Sequence, residues 1–242
     1  MKNGENLRFM INKIMLRRAK TSDINTLAEL RWKLCTDDSP DNTIIYHGQL
    51  TADGSPFWTR SSFLQPVHYQ GQAAMLKISI GADEIRGAQL MAWWDGDGAV
   101  KVLDYTDNAL LLERALGNKS LVKMSYSGLD DQASKIICHV AARLHASRKQ
   151  PLPDLMPLSI CFEALMHTAV THGGIFDKAA SLARSLLIKP EEVVFLHGDL
   201  HHRNILDSGS QGWLAIDPKG FLGERGFDFA NIFCNPDTNI AT

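Results

Sequence analysis

The chain has 242 residues, of which 45% are hydrophobic, so it is long enough to bury one large core or two smaller ones, and it is not a disordered chain. The 25 Lys and Arg residues are balanced by 27 Asp and Glu residues, for a formal net charge of −2. This balance lacks the basic excess that is typical of proteins that bind DNA or RNA, so we expect no nucleic-acid partner.

The first 42 residues are predicted to form a segment of their own. Residues 14–18 favour a strand, and the following helix has Ile24, Leu27 and Leu30 at helical spacing. No apolar run in the chain reaches the roughly 20 residues of a membrane span, and the amino end lacks the pattern of a cleaved signal. We therefore expect a cytoplasmic protein. The polar, proline-containing stretch 36–43 predicts the boundary to the next domain.

Residues 43–116 are predicted to form a small lobe of strands with one inserted helix. Short apolar runs lie on either side of turn residues, which is typical of hairpins, and one longer run has helical spacing. The predicted elements are strands at Phe57–Val67 and Ala73–Ser79, a helix at Ala82–Trp94, and a hairpin of Val100–Tyr105 and Ala109–Glu113.

Residues 117–242 are predicted to form a second, mostly helical lobe. Apolar residues between Ile136 and Leu144 share one face of a helix that begins near Asp130. Further helices are expected at 157–171 and 176–188, a strand at 193–197, and a short hairpin that ends at Asp217.

The four cysteines form no C-x-x-C pair and are too few for a disulfide framework in a chain of this length. We therefore expect them to be reduced thiols in the core. They are Cys35, Cys138, Cys161 and Cys234.

The most informative motif follows the strand at 193–197. His197, Asp199 and Asn204 fit the pattern H-x-D-x-x-x-x-N, which is typical of the catalytic loop of kinases. A carboxylate at this position can accept a hydrogen bond from a substrate hydroxyl, and the amide oxygen of Asn204 can face a metal held over nucleotide phosphates. Asp217, after the next hairpin, is expected to supply a second oxygen ligand. The sequence therefore predicts a phosphoryl-transfer site with a magnesium clamp.

Two other interpretations of this segment remain open. Asp and Asn are common turn residues, so the motif could be a structural loop. His197, His201 and His202 could instead form a weak metal site, although none has an acidic neighbour at the spacing of H-E-x-x-H.

A kinase also needs residues that hold the nucleotide, and candidates precede the loop in the expected order. Lys77 lies in the apolar strand AAMLKIS, which would bury its stem and direct its ammonium at the α- and β-phosphates. Glu84, in the next helix, is the candidate partner of Lys77, with Asp83 as an alternative. The strand ALLLE is followed by a break that suits an adenine pocket, where the backbone of Glu113 and Ala115 would contact the base.

Several motifs together resemble one family. FLHGDLHHRNIL, WLAIDPKG, GERGFDFANIFCNP, ALLLERALG and the region from SSFLQPV to AAMLKIS are similar to the aminoglycoside phosphotransferases, and most similar to the streptomycin 6-phosphotransferase branch grouped with the aminoglycoside/hydroxyurea resistance kinases. The resemblance covers about residues 50–238. It implies an α+β, bilobal, protein-kinase-like fold, and transfer of the γ-phosphate of ATP to a hydroxyl of an aminoglycoside such as streptomycin, with Mg²⁺ as cofactor and antibiotic resistance as the result.

The resemblance also implies roles for individual residues. Asp199 matches the catalytic base, Asn204 and Asp217 match the magnesium ligands, and Lys77 matches the phosphate lysine. The backbone at 113–115 matches the hinge that binds adenine.

Two further positions match residues that brace the catalytic loop, namely His197 and Asp228. Because streptomycin carries guanidinium groups, which prefer carboxylates, the acidic residues near the loop are candidates for binding the drug. Glu224 is the first candidate and Asp237 the second.

Three features depart from the family pattern. Residues 1–42 resemble the opening strand and helix of a GNAT acetyltransferase, but no R/Q-x-x-G-x-G/A turn follows them. Arg203 stands where the family has Gly, so it could misplace the loop if the position needs positive φ, or simply point outwards. The sequence ends at Thr242, before further helices of the family, so we expect an incomplete second lobe. An inactive nucleotide-binding remnant and an acetyl-CoA-binding fragment are therefore the alternatives to an active kinase.

Overall fold

The computed structural model describes residues 50–59, 62–79, 82–105 and 109–236. The chain divides into two units, residues 1–77 and residues 78–242. The predicted strand and helix of residues 1–42, and the side chain of Asp237, lie outside the described residues. The domain boundaries predicted at residues 42 and 116 stay predictions.

The first unit is built around one long antiparallel strand. Strand β3 pairs with both β1 and β2 and neighbours β4 in the sheet. The turn between β3 and β4 has Gln70 and Gly71 at φ 50° and 79°, which is the left-handed pair that a tight hairpin requires. The strands are β1 (Leu50–Ala52), β2 (Phe57–Trp58), β3 (Ser62–Tyr69) and β4 (Gln72–Ser79), whose last two residues lie past the unit boundary.

Alternate residues of β3 face the interior of the first unit. Phe63 and Val67 are buried, and so is Gln65 between them. The Gln65 side-chain amide donates to the backbone oxygens of Gly54 (2.9 Å) and Pro66 (2.8 Å), so its burial leaves no unmet donor. On β4 the buried residues include Lys77, which is 9% exposed.

The second unit begins with helix α1 (Ala82–Trp94) and the antiparallel hairpin of β5 (Val102–Tyr105) and β6 (Ala109–Glu113). The bounds of α1 and β6 agree with the prediction, and β5 begins two residues later than predicted. Helix α1 buries Trp94, whose indole N–H donates to the backbone oxygen of Leu144 at 3.0 Å.

Helices make up the middle of the second unit. They are α2 (Leu121–Tyr126), α3 (Asp130–Leu144), α4 (Leu158–Cys161), α5 (Glu163–His172) and α6 (Ile175–Ile188). Helix α3 buries Ile137, Val140 and Leu144, as its periodicity predicts. Within the described residues, no helix has the length and apolar character to cross a bilayer.

Helices α5 and α6 pack against each other but leave apolar side chains in solvent. Gly173 and Gly174 join them, both at positive φ. The most exposed of them, which we call the α5–α6 apolar face, are Val170, Ile175, Leu182, Leu186 and Ile188.

Short strands carry the rest of the second unit. Strand β11 pairs with β7 in parallel and with β8 in antiparallel fashion, and β9 and β10 form the predicted hairpin. Leu158, Val194, Leu196 and Phe221 pack together beneath the three-stranded sheet. The elements are β7 (Met156–Pro157), β8 (Val193–Leu196), β9 (Ile205–Asp207), β10 (Trp213–Ala215), β11 (Phe221–Glu224), α7 (Phe227–Ala230) and a 3₁₀ turn at Asn231–Cys234.

The described cysteines do not lie in the core. Cys138, Cys161 and Cys234 are all exposed, so the expectation that they lie in the core is wrong for these three. On α3 the reason is clear, because Cys138 follows the buried Ile137 by one residue and a helix turns that position towards solvent. Cys35 lies outside the described residues.

Candidate active site

The predicted catalytic loop begins where β8 ends, and His197 is fully buried there. The backbone N–H of Asp199 donates to His197 Nδ1 (3.2 Å), so the ring proton lies on Nε2, which donates to the backbone oxygen of Ile216 (2.8 Å). Burial lowers the pKa of His197, despite nearby carboxylates that act in the opposite direction. His197 is therefore a neutral ring with both nitrogens engaged in the fold, and it has none to give to a metal.

The carboxylate of Asp199 is held by two amide side chains. Asn204 Nδ2 donates to Asp199 Oδ2 (3.3 Å) and to its backbone oxygen (2.9 Å), and Asn231 Nδ2 donates to Asp199 Oδ1 (3.2 Å). The side chain of Asp199 is still 37% exposed. A residue that accepts a hydrogen bond from a substrate hydroxyl needs a carboxylate that is both oriented and accessible from solvent. Asp199 meets both conditions. Asn231 lies in the segment GERGFDFANIFCNP that resembles the family, but no motif assigns it a role.

The hairpin of β9 and β10 brings Asn204 and Asp217 to the same end. The N–H of Ile216 donates to the backbone oxygen of Asn204 (2.9 Å), one rung beyond the Ile205–Ala215 pair. Asp217 then adopts φ 66°, a left-handed conformation that costs a non-glycine residue free energy. Such strain at the residue predicted to bind a metal is typical of a functional position.

The segment after Asp217 packs against helix α1. A Cβ on Gly87 would lie 2.1 Å from the backbone oxygen of Pro218, so only glycine permits this approach. Glu84 Oε1 lies 3.5 Å from Lys219 Nζ. The backbone N–H of Lys219 donates to the backbone oxygen of His197 (2.7 Å). Glu84, predicted as the partner of Lys77, thus forms an ion pair with Lys219.

Asp228 ties the start of the loop to two helices. Its carboxylate, 1% exposed as a residue, accepts the backbone N–H groups of His197 (2.9 Å) and Gly198 (2.7 Å). It also lies 2.7 Å from His145 Nε2, at the carboxyl end of α3. His145 gave no functional signal in the sequence, because only the fold brings it to Asp228.

The predicted hinge borders a shallow, partly open depression, lined in part by Glu113, Arg114 and Ala115. The N–H of Glu113 donates to the backbone oxygen of Lys101 (3.0 Å), and its carboxylate accepts from Gln211 Nε2 (3.2 Å). The backbone N–H of Glu113 is therefore used in the pairing of β5 with β6, and the adenine-binding role of residues 113–115 stays a prediction.

Arg203 does not strain the loop. Within the described residues, the non-glycine positions with positive φ are Gln70, Asp95 and Asp217, so Arg203 needs no glycine-like backbone. The side chain of Arg203 is exposed, and the backbone N–H of Arg203 donates to His201 Nδ1 (3.1 Å). Of the two alternatives for Arg203, the structure favours the outward one.

Glu224 lies at the end of the β8–β11 ribbon that is remote from the catalytic loop. The register pairs Glu224 with Val193, whereas Phe221 pairs with Leu196, where the loop begins. Its Oε2 accepts the N–H groups of Glu191 (2.6 Å) and Glu192 (3.2 Å), and these amides lower the pKa of the Glu224 carboxyl. This position gives Glu224 a structural role in the turn before β8.

The donor set around the loop fits Mg²⁺. Asn204 uses its amide nitrogen on Asp199, which leaves its Oδ1 as an acceptor, and Asp217 lies at the same hairpin end with a carboxylate. Carboxylate and amide oxygens are the ligands of a hard cation that completes its shell with waters and phosphates. Within the residues that the structure describes, no cluster of three or more His, Cys, Asp or Glu side chains could hold a metal by itself.

Known proteins of similar sequence support one family. Residues 47–242 match the family of aminoglycoside/hydroxyurea antibiotic resistance kinases. The chain is 51% identical over 189 residues to a streptomycin 3''-kinase of Klebsiella pneumoniae, covering 78% of this chain and 71% of that protein. It is 31% identical to a streptomycin 6-kinase of Streptomyces griseus, covering 74% of this chain and 61% of that protein, so it spans about three fifths of that relative.

Solved structures support the fold. A choline/ethanolamine kinase family protein from Mesorhizobium loti superposes with a TM-score of 0.56 at 16% identity, covering 84% of this chain and 68% of that one. The aminoglycoside phosphotransferase APH(4)-Ia, in a ternary complex with AMP-PNP and hygromycin B, gives a TM-score of 0.53 at 15% identity, with 77% and 72% covered. The predicted α+β, protein-kinase-like fold is therefore confirmed. Given the match over residues 47–242, the chain belongs to the aminoglycoside/hydroxyurea antibiotic resistance kinase family, and it is a phosphotransferase.

Proposed function

We propose that this chain transfers the γ-phosphate of ATP to the 3''-hydroxyl of streptomycin and so inactivates the drug. The observation that carries this proposal is the 51% identity to a streptomycin 3''-kinase over 78% of the chain. The streptomycin 6-kinases stand at 31% and 30% identity, so the 3'' position is favoured over the 6 position.

Asp199 is the residue that receives the acceptor hydroxyl. Its two oxygens are fixed by Asn204 and Asn231, so the carboxylate meets the substrate without first losing rotational freedom. It accepts the hydrogen bond of the hydroxyl, points the oxygen at the γ-phosphorus, and takes the proton as the new P–O bond forms. This role does not depend on which streptomycin hydroxyl is modified.

Asn204 and Asp217 are the residues that hold Mg²⁺, through Asn204 Oδ1 and the Asp217 carboxylate. The bound ion supplies positive charge that screens the phosphates and the leaving ADP. The hairpin bond from Ile216 to Asn204 keeps the two side chains at one end of β9 and β10. Their spacing is thus set by the backbone, which needs no rearrangement when the nucleotide binds.

Lys77 and the hinge complete the nucleotide site in this proposal. Lys77 is 9% exposed in β4. This burial fits a side chain whose alkyl stem packs in the strand and whose ammonium binds the α- and β-phosphates. The carbonyl of Glu113 and the N–H of Ala115 are proposed to bind the adenine edge, since the N–H of Glu113 already donates to Lys101.

A coupled ADP-release assay with streptomycin tests the activity, and NMR of the product identifies the phosphorylated hydroxyl. The Asp199→Ala variant is expected to bind nucleotide as the wild type does and to lose at least about a hundredfold in kcat, on the scale of base and positioning effects. Asp131→Ala, at an exposed site in the first turn of α3, is the matched control and is expected to keep full activity.

Two outcomes contradict the proposal in different ways. Phosphorylation at the 6 position contradicts the choice of hydroxyl and leaves the mechanism intact. Thermal stabilisation by Mg-ATP without any ADP release on streptomycin or other aminoglycosides identifies the inactive nucleotide-binding remnant instead.

A further inference from the structure

One short segment contacts both the start of the catalytic loop and its central carboxylate. Asp228 and Asn231 are three residues apart across the end of α7, so a helical turn places their side chains on the same side. Asp228 accepts the backbone N–H groups of His197 and Gly198, and Asn231 donates to Asp199 Oδ1 at 3.2 Å. The pair thus joins the backbone that leads into the loop to the side chain that performs its chemistry.

We propose that Asn231 is a positioning residue that fixes the orientation of the Asp199 carboxylate for phosphoryl transfer. This inference rests on the proposed function, because it gives Asp199 the acceptor hydroxyl. Asn231 reaches Oδ1, and Asn204 reaches Oδ2, so each amide holds a different oxygen. Two contacts on opposite oxygens restrain rotation of the carboxylate, whereas a single contact leaves one oxygen to swing.

Asn204 cannot provide this restraint alone. Its amide nitrogen already divides its two hydrogens between the backbone oxygen of Asp199 (2.9 Å) and Oδ2 (3.3 Å), and the second contact is the longer one. Its own oxygen is assigned to the metal in the proposed function. The other group near Oδ1 is His201 Nε2, at 3.6 Å, which lies beyond hydrogen-bond distance.

The surroundings of Asn231 keep it ready for this contact. Asn235 Nδ2 donates to the backbone oxygen of Asn231 at 3.0 Å, which closes the turn around it. Asp228, three residues earlier, is anchored at 2.7 Å by the buried His145. Asn231 therefore projects from a turn that is fixed at both ends, so its amide is directed at Asp199 before any substrate arrives.

Steady-state kinetics of the full chain test the inference. Asn231→Ala is expected to lose about tenfold to hundredfold in kcat for streptomycin phosphorylation, while its KM for ATP stays within about twofold of the wild-type value. Asn231→Asp keeps the size but loses the N–H donor, so it is expected to be at least as impaired. Asn231→Gln keeps the donor on a longer arm, so it is expected to retain more activity than Asn231→Ala. Phe233→Ala, which alters a 90% exposed side chain of the same 3₁₀ turn, is the control expected to match the wild type.

A second measurement does not depend on turnover. In a chain labelled with ¹⁵N-asparagine, the side-chain amide signal that disappears in Asn231→Ala belongs to Asn231, and Asp199→Ala is expected to shift it further than Phe233→Ala does. An unchanged kcat in Asn231→Ala overturns the inference. So does an Asn231 amide signal whose chemical shift is the same in Asp199→Ala as in the wild type. If the wild type phosphorylates no aminoglycoside, the proposed function fails, and the amide signal alone then decides whether Asn231 orients Asp199.

Discussion

Gly198 has a conformation and a neighbour that both demand glycine. It adopts φ 80°, and a Cβ at this position would lie 2.4 Å from the ring of Phe221. Its N–H also donates to Asp228, so any displacement would move the start of the catalytic loop. Within the catalytic loop, Gly198 is therefore the position at which the packing itself excludes a side chain.

Gly198→Ala is expected to lower the free energy of unfolding by about 2–4 kcal/mol, because left-handed strain and a clash with a buried ring add together. Gly128 has nearly the same φ, 79°, but a Cβ added there would meet no atom within 4 Å. Gly128→Ala is thus the matched control, with an expected loss of about 1 kcal/mol from backbone strain alone. Urea unfolding of both variants measures the difference, and equal losses would contradict the clash.

His197 is expected to make the stability depend on pH. Burial holds its pKa in the folded chain below the 6.5 of an ordinary histidine, and both nitrogens are satisfied only in the neutral form. The unfolded chain therefore binds the extra proton first. The contribution of His197 is complete above about pH 6.5, and it is lost as the pH falls towards the lower folded pKa, by up to about 1.4 kcal/mol per pH unit.

Urea unfolding of the wild type and of His197→Asn between about pH 5 and about pH 8 checks this sign. The variant has no titrating ring, so its free energy of unfolding is expected to fall less steeply on the acid side. His201 and His202 also have pKa values lowered by burial, and they leave a residual slope in both proteins. A slope that is identical in the two proteins would exclude His197 as its source.

At the scale of elements, the buried pair of His145 and Asp228 connects α3 with α7. The side chains are 1% and 0% exposed and lie 2.7 Å apart. Asp228 in turn holds the loop after β8, so one contact links two helices and a strand. Removing the imidazole leaves the buried Asp228 carboxylate with one hydrogen-bond partner fewer. A buried charge that loses a partner costs free energy of folding.

His145→Ala is expected to lower the free energy of unfolding by about 2–4 kcal/mol, the range for a broken buried polar pair. His139→Ala is the control, because it removes an imidazole at an exposed position of α3. It is expected to change the free energy of unfolding by less than about 0.5 kcal/mol. Chemical denaturation of both variants measures the effect. A loss in His145→Ala no larger than in His139→Ala would show that the pair contributes nothing.

Elements with strong periodicity could be predicted from the sequence, and contacts between distant side chains could not. Helix α3 and the hairpin of β9 and β10 lie where the apolar pattern and the turn residues place them. Strand β7 and helix α7 were not predicted, because two to four residues are too few to show a period and tertiary packing decides their conformation.

In the candidate site, too, some residues could be predicted from the sequence and others only from the folded structure. The loop motif indicates Asp199 and Asn204, and the short hairpin after it leads to Asp217, because all three lie close together in the sequence. Asn231 and His145 reach the loop only after the chain has folded, so no spacing in the sequence indicates them. The drug-binding role expected of Glu224 stays a prediction, and the register of β8 and β11 places Glu224 at the opposite end of β11 from Phe221, which pairs with the residue before the loop.

At the scale of the whole molecule, the α5–α6 apolar face is a group of large apolar side chains that two neighbouring helices expose together. Val170 and Ile188 are 84% and 82% exposed, and Leu182 is 62% exposed. Large apolar side chains that remain in solvent promote association of a protein in solution.

A Leu182→Lys, Leu186→Lys double variant is expected to bind less of a hydrophobic fluorescent dye and to stay in solution at higher concentration than the wild type. Ser181→Lys with Ser185→Lys adds the same charge to exposed polar positions of α6 and leaves the apolar face unchanged. Dye fluorescence and light scattering compare the three proteins. Equal effects of the two double variants would attribute the gain to charge.

Cys234 lies three residues after Asn231, in the same 3₁₀ turn, and its thiol is exposed. The chain thereby carries a native attachment point for a maleimide dye in the same turn as Asn231, whose amide donates to the Asp199 carboxylate. With Cys35, Cys138 and Cys161 replaced by serine, a fluorophore on Cys234 is expected to report drug binding as a change in fluorescence, without radioactive nucleotide.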